Sequence, residues 1–198
     1  HRYYPITKKI LAKAGMPHTE NLFPLLVRAG AFDVNENLDL YRLEIPVDFS
    51  ENTIIQSKKL LKSKSIAVDG QRHNLTHLNI MTIDGPETKD FDDAISVERQ
   101  GDNVLVGIHI TDVAHFIKKN DVVDQEALER GSSIYLPDLK IPMLPPELSE
   151  DLCSLKAGEI KPAISIMAKL TPLADVVDYE IIASYISVKR QLTFGDVD

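Results

Sequence analysis

The chain has 198 residues, 43% hydrophobic and 26% charged, with a net charge of −8. That composition suits one globular domain, or one domain with a small appendage, and excludes a disordered chain. No run approaches the ~20 apolar residues of a membrane helix, and no basic start leads into an apolar secretory segment. The single Cys153 has no partner for a disulfide or a zinc cluster, which fits reducing, cytoplasmic surroundings. The first residue is His1, as in a trimmed or processed piece.

Charge is divided unevenly. Residues 1–76 hold 11 Lys and Arg against 8 Asp and Glu, whereas residues 77–198 hold 11 against 22. An acidic surface repels nucleic acid. The excess is therefore a solvated surface or, in part, a carboxylate cluster holding a divalent cation.

The first third reads as helical. Pro5 suits the first turn of a helix running to Ala14 and stopping at Gly15–Met16–Pro17. Thr19 is placed to cap a second helix ended by Gly30, and Asn35 a third, short one ending before Pro46. Ser50 caps a fourth, with Ile54, Ile55, Leu60 and Leu61 on its apolar face. Its Lys58, Lys59, Lys62 and Lys64 form a solvated face or a contact for RNA phosphates.

Near residue 66 the pattern turns to strands. Ile66–Val68 is β-like, Asp69–Gly70 a turn, and Leu78–Asp84 a buried strand broken by Gly85–Pro86. Ala94–Glu98 and Val104–Ile110 alternate with period two around a hairpin loop at residues 100–103. Val122–Arg130 is helical with Gly131 as its stop. Residues 137–148 contain four prolines and read as a rigid irregular loop. Two strands, Ala163–Leu170 and Val176–Val188, flank a turn at residues 171–175. The fold class is α+β: a helical N-terminal region, residues 1–66, followed over residues 67–198 by a mainly antiparallel curved sheet with flanking helices.

Four aspartates, Asp84, Asp90, Asp92 and Asp93, fall within ten residues. Asp90 and Asp92 share one side of an extended backbone, and Asp93 points elsewhere unless the chain turns. Gly85–Pro86 permits the bend that returns Asp84 toward them. Crowded carboxylates repel and raise one another's pKa. A hard cation, Mg²⁺ or Mn²⁺, removes that cost and suits phosphodiester hydrolysis. The pattern also fits a solvated acidic turn. A calcium EF-hand starting at Asp90 fails, with Ile95 at its sixth position and Gly101 at its twelfth.

The stretch HLNIMTIDGPETKDFDDAISVE resembles the entry motif of the catalytic RNB domain of the ribonuclease II / ribonuclease R family. The resemblance continues through VGIHITDVAHFI, DQEALERGSSIYLPDLKIPMLPPELSEDLCSL and SYISVKRQLTFGDVD, covering about residues 72–198. LFPLLVRAGAFDVNENLDL, within residues 19–50, is similar to the helical lead-in of some bacterial and plastid members.

The resemblance implies a magnesium-dependent 3′→5′ exoribonuclease that degrades single-stranded RNA to nucleoside 5′-monophosphates. It implies that Asp84, Asp90, Asp92 and Asp93 are the metal set. Asp84 and Asp93 would serve the principal ion. Asp90 and Asp92 would be the catalytic pair, holding a second ion or positioning water. Tyr135 would stack on a base near the RNA 3′ end. Asp198 falls about where the first half of the family's domain ends, so a catalytic arginine and a second stacking aromatic are expected outside these residues, and the chain alone is expected to be nearly inactive. His109 and His115 are read as hydrogen-bonded structural groups, Asp112 as a local cap and Cys153 as packing. The alternative function is a non-catalytic RNA-binding or assembly module. A calcium-binding domain would instead require selective stabilisation by Ca²⁺.

Overall fold

The computed structural model describes residues 4–15, 22–63 and 70–197. The Thr19 cap, Lys64, the Ile66–Val68 strand and Asp69 lie outside the described residues. Two compact units divide the chain at Val47 and Asp48.

The first unit contains α1 (Tyr4–Lys13), α2 (Leu22–Arg28) and α3 (Leu38–Arg42). The Phe32 ring centroid lies 6.2 Å from that of Phe23 and 5.2 Å from that of Tyr41. Asn37, not Asn35, caps α3, its side chain accepting from the Asp39 amide at 3.1 Å. The reason is local. The Asn35 amide donates to the Asp33 carboxylate at 2.9 Å, and the Glu36 amide to the Asp33 carbonyl, which holds residues 33–36 in a turn.

The second unit begins with α4 (Glu51–Lys62), capped by Ser50 as expected. The sequence grouped this helix with the N-terminal region, but it packs with the second unit, on α6 (Val122–Arg130). Its buried positions are Thr53 and Ser57, while Ile55 is exposed. The Ser57 hydroxyl donates to the Thr53 carbonyl at 2.6 Å and the Thr53 hydroxyl to the Val122 carbonyl at 3.4 Å, so two small polar residues satisfy themselves at the contact. The Arg130 guanidinium lies 3.8 Å over the Phe49 ring and bonds Glu126 at 2.9 Å.

Among the described residues eight strands follow: β1 (His73–Asn74), β2 (Ile80–Asp84), β3 (Asp93–Gln100), β4 (Asn103–Thr111), β5 (Ile134–Tyr135), β6 (Lys140–Ile141), β7 (Ile160–Leu170) and β8 (Val176–Thr193). β3 and β4 form the expected hairpin, with Gly101 at φ 61° opening its two-residue loop. β7 pairs antiparallel with β4 on one edge and β8 on the other. Beyond Ser187, β8 turns its other edge to β2 and runs parallel to it from Val188 to Thr193. The pairings thus close on themselves through β2, β3, β4, β7 and β8. The curved, mainly antiparallel sheet expected from the sequence is present and has become a ring, which removes most of its free edges.

One core cluster sits on this sheet: Leu78, Ile80, Ala94, Leu155, Ala163, Met167, Ile186 and Val188. A second lies among the helices and their connections: Ile117, Val123, Leu148, Leu152 and Cys153, with Leu60 and Leu61 of α4 packed against it. The thiol of Cys153 is pushed up to about 12 by burial, in keeping with a packing role.

Residues 137–148 are not wholly irregular. β5 and β6 pair antiparallel, with Tyr135 opposite Lys140, and a π-helical turn follows at Leu148–Leu152. Pro137–Asp138 at the hairpin tip acts as a turn signal rather than as a breaker. α5 (Val113–Phe116) is capped by Asp112, which accepts from the His115 amide at 3.2 Å and pairs with Arg72.

Candidate active site

Asp84 is the last residue of β2, paired with Thr193 of β8, and Asp93 is the first of β3, paired with Ile110. The connection between them is pinned from behind. The Ser154 hydroxyl accepts from the Phe91 amide at 3.1 Å and donates to the Lys89 carbonyl at 2.8 Å. The Leu155 amide donates to the Phe91 carbonyl and the Thr111 amide to the Asp92 carbonyl, each at 2.9 Å. The segment carrying three of the four aspartates is therefore tethered at nearly every residue.

This segment separates two clefts. Asp90 and Asp92 line one of about 550 Å³, with Val113, Ile117 and Leu144 as apolar wall. Phe91 and Lys89 line the other, of about 590 Å³, with Thr88 and Lys156. The two-residue spacing does put Asp90 and Asp92 on one side, with the intervening ring on the other.

The four carboxylates feel one another. Burial, then the charges of Asp93 and Asp90, hold the Asp84 carboxyl above the usual range. Asp92 reaches solvent, yet partial burial and the charges of Asp90 and Asp93 raise it as well, against the opposing charge of Lys140. Among the described residues, no three His, Cys, Asp or Glu side chains are gathered as a ready ligand set. The donor chemistry nevertheless fits a hard divalent ion: carboxylate oxygens whose mutual repulsion a cation would relieve.

Two groups from the β5–β6 hairpin reach this site. Tyr135 is 68% exposed, and its hydroxyl donates to the Asp90 carboxylate at 3.4 Å. The Lys140 ammonium bonds the same carboxylate oxygen at 2.7 Å and lies 5.5 Å from the Tyr135 ring centroid. Sequence reasoning missed Lys140. The signal was the Pro137–Asp138 turn, which sets Tyr135 and Lys140 on opposite strands at one register position.

The two histidines are elsewhere. His109 is fully buried, 3.0 Å from the Ser96 hydroxyl and 2.7 Å from that of Ser165. Ser165 in turn lies 2.7 Å from Ser184, so the polar chain crosses β3, β4, β7 and β8. The His115 ring packs edge-on against Phe116. His109 is the hydrogen-bonded structural group expected, whereas His115 is exposed.

Residues 72–198 match the family model described as "RNB domain". The chain belongs to the RNB-domain family. It is 42% identical over 153 residues to Ribonuclease R of Mycoplasmopsis pulmonis, covering 77% of this chain and 21% of that protein. It is 34% identical over 188 residues to the chloroplastic/mitochondrial Ribonuclease II of Arabidopsis thaliana, covering 93% of this chain and 23% of that one. The solved structure of Mycoplasma genitalium RNase R in complex with ribose-methylated single-stranded RNA is similar at a TM-score of 0.76 and 26% identity, over 87% of this chain and 26% of that one. This RNB chain thus spans about a fifth to a quarter of the relatives it matches. No described helix is long and apolar enough to cross a membrane.

Proposed function

We propose that this chain carries the aspartate-bearing part of a 3′→5′ exoribonuclease site, hydrolysing single-stranded RNA to nucleoside 5′-monophosphates. The observation that carries the reading is the tethered segment within the RNB match, which holds four aspartates at mutually repelling range beside an exposed Tyr135. A Mg²⁺ or Mn²⁺ ion held by Asp84, Asp90, Asp92 and Asp93 would acidify a water and take charge from the phosphoryl oxygens.

The chain's own residues supply the rest. Asp90 and Asp92 project into one cleft and can orient the attacking water there. The exposed face of Tyr135 offers a platform for a base at the RNA 3′ end, indifferent to its identity. Ser154 and Leu155 keep the aspartates from relaxing apart. Among the described residues no arginine lines either cleft, so the walls offer lysines, Lys89 and Lys156 in one and Lys119 in the other, but no planar guanidinium donor for the developing phosphoryl charge. Loss of one such donor slows an enzyme by about 10²–10³-fold, and turnover by these 198 residues alone is expected to be slow at best.

The test is release of labelled mononucleotide from 3′-labelled single-stranded RNA. Slow release that requires Mg²⁺ or Mn²⁺ and is lost in Asp92→Asn supports the reading. Release by Asp92→Asn at the unsubstituted rate, or release without metal, overturns it. Fast turnover would overturn the expectation that a further donor is needed.

A further inference from the structure

The Lys140 ammonium has three neighbours. It bonds the Asp90 carboxylate at 2.7 Å, faces the Glu150 carboxylate at 3.7 Å, and lies 5.5 Å from the Tyr135 ring centroid. The lysine side chain is 30% exposed, whereas the Asp90 side chain is 16% exposed. A long, partly solvated cation therefore sits on a largely covered carboxylate of an acidic cluster.

We infer that Lys140 is the resident counter-ion of Asp90 when the site holds no metal, and that it competes with a divalent cation for that carboxylate, thereby setting how tightly the site takes metal. The inference rests on the metal-dependent reading above and names a residue that tunes it. The geometry provides for the exchange. Glu150 and the Tyr135 ring already flank the ammonium, so it can leave Asp90 without entering an apolar space. Its flexible four-carbon stem makes such a move easier than for a planar, forked guanidinium. Tyr135, which also donates to Asp90, would be released with it for stacking. Lys140 acts here as a positioning residue.

The experiment measures Mn²⁺ binding to the purified protein by calorimetry, and thermal melting with and without Mn²⁺, for the unsubstituted protein, Lys140→Met, Lys140→Gln and Asp92→Asn. Removing a competing ion pair of this exposure should tighten Mn²⁺ binding about fivefold. The metal-free melting temperature should fall in Lys140→Met, and saturating Mn²⁺ should close the gap. Lys140→Gln keeps the measurement available if the methionine variant does not fold. Unchanged or weaker Mn²⁺ binding in the lysine variants, with binding still lost in Asp92→Asn, overturns the role of Lys140 and leaves the metal reading intact. No Mn²⁺ binding by any of the proteins overturns both.

Discussion

Gly107 shows how closely the buried polar chain constrains the sheet. It sits opposite Ser96 in the β3–β4 hairpin and two residues before His109, so all three share the inner face. A Cβ at this position would lie on the Ser96 hydroxyl, 2.6 Å from His109 Nε2 and 2.9 Å from its Cε1. The imidazole is held from its other nitrogen by Ser165 and cannot retreat freely. Gly107→Ala must therefore break the Ser96–His109 hydrogen bond or move a strand. Leaving a buried polar group unpaired costs about 1–3 kcal/mol, and overpacking a tight interior costs about 1–3 kcal/mol more. Together these approach half the stability of an ordinary domain, about 5–15 kcal/mol. Urea unfolding followed by circular dichroism reads the loss as a lower midpoint at unchanged slope. Adding Ser96→Ala to Gly107→Ala should recover part of it by removing one of the two obstacles. A Gly107→Ala protein as stable as its parent would refute the claim that this glycine exists to let His109 reach across.

The same histidine makes stability depend on acid. Burial lowers the His109 pKa from 6.5 to about 4, so the unfolded chain binds a proton that the folded one refuses. Stability should therefore fall by about 3 kcal/mol as the pH drops from 6.5 to 4 and level off below that. Urea midpoints across that range should lose this component in His109→Gln, and an identical pH slope in both proteins would sink the assignment. Asp92 has the opposite standing: its raised pKa means that ionisation at neutral pH opposes folding. Asp92→Asn should accordingly melt higher than the parent without metal at pH 7, with the difference shrinking as acid protonates the parent's carboxyl. A lower melting point would show that Asp92 is not under repulsion.

Local patterns made much of the fold legible. Period-two alternation showed β3 and β4, and Ser50 and Gly131 marked the ends of helices correctly, because each signal lies within a few residues of what it specifies. The parallel β2–β8 pair was not legible: its partners lie more than a hundred residues apart, and the strand read over Val176–Val188 stopped where the pairing begins. The buried face of α4 was legible in part: Leu60 and Leu61 pack on a core cluster as expected, but Ile55 is exposed, and Thr53 and Ser57, which look polar, are buried with their hydroxyls satisfied by carbonyls. The four aspartates stood out by spacing. Lys140 did not, because its one signal, the Pro137–Asp138 turn that sets it opposite Tyr135, was read as part of an irregular proline-rich loop.

The sheet's closure explains why these aspartates can be held together at all. Left alone, repelling carboxylates on a loop containing Gly85 would swing into solvent. Here Asp84 is fixed by the β8 register and Asp93 by that of β4. Between them, Ser154 and Leu155 clamp the backbone on either side of Phe91. Cys153, just ahead of that clamp, is buried in the helical core cluster, and its carbonyl accepts from the Thr111 hydroxyl at 2.5 Å. Relaxing the acidic segment would thus disturb two core clusters as well as one turn. The apolar burial that holds the ring is the source of free energy against which the local repulsion is maintained. The repulsion in turn leaves the site favouring a cation, with Lys140 answering part of that demand from the protein itself.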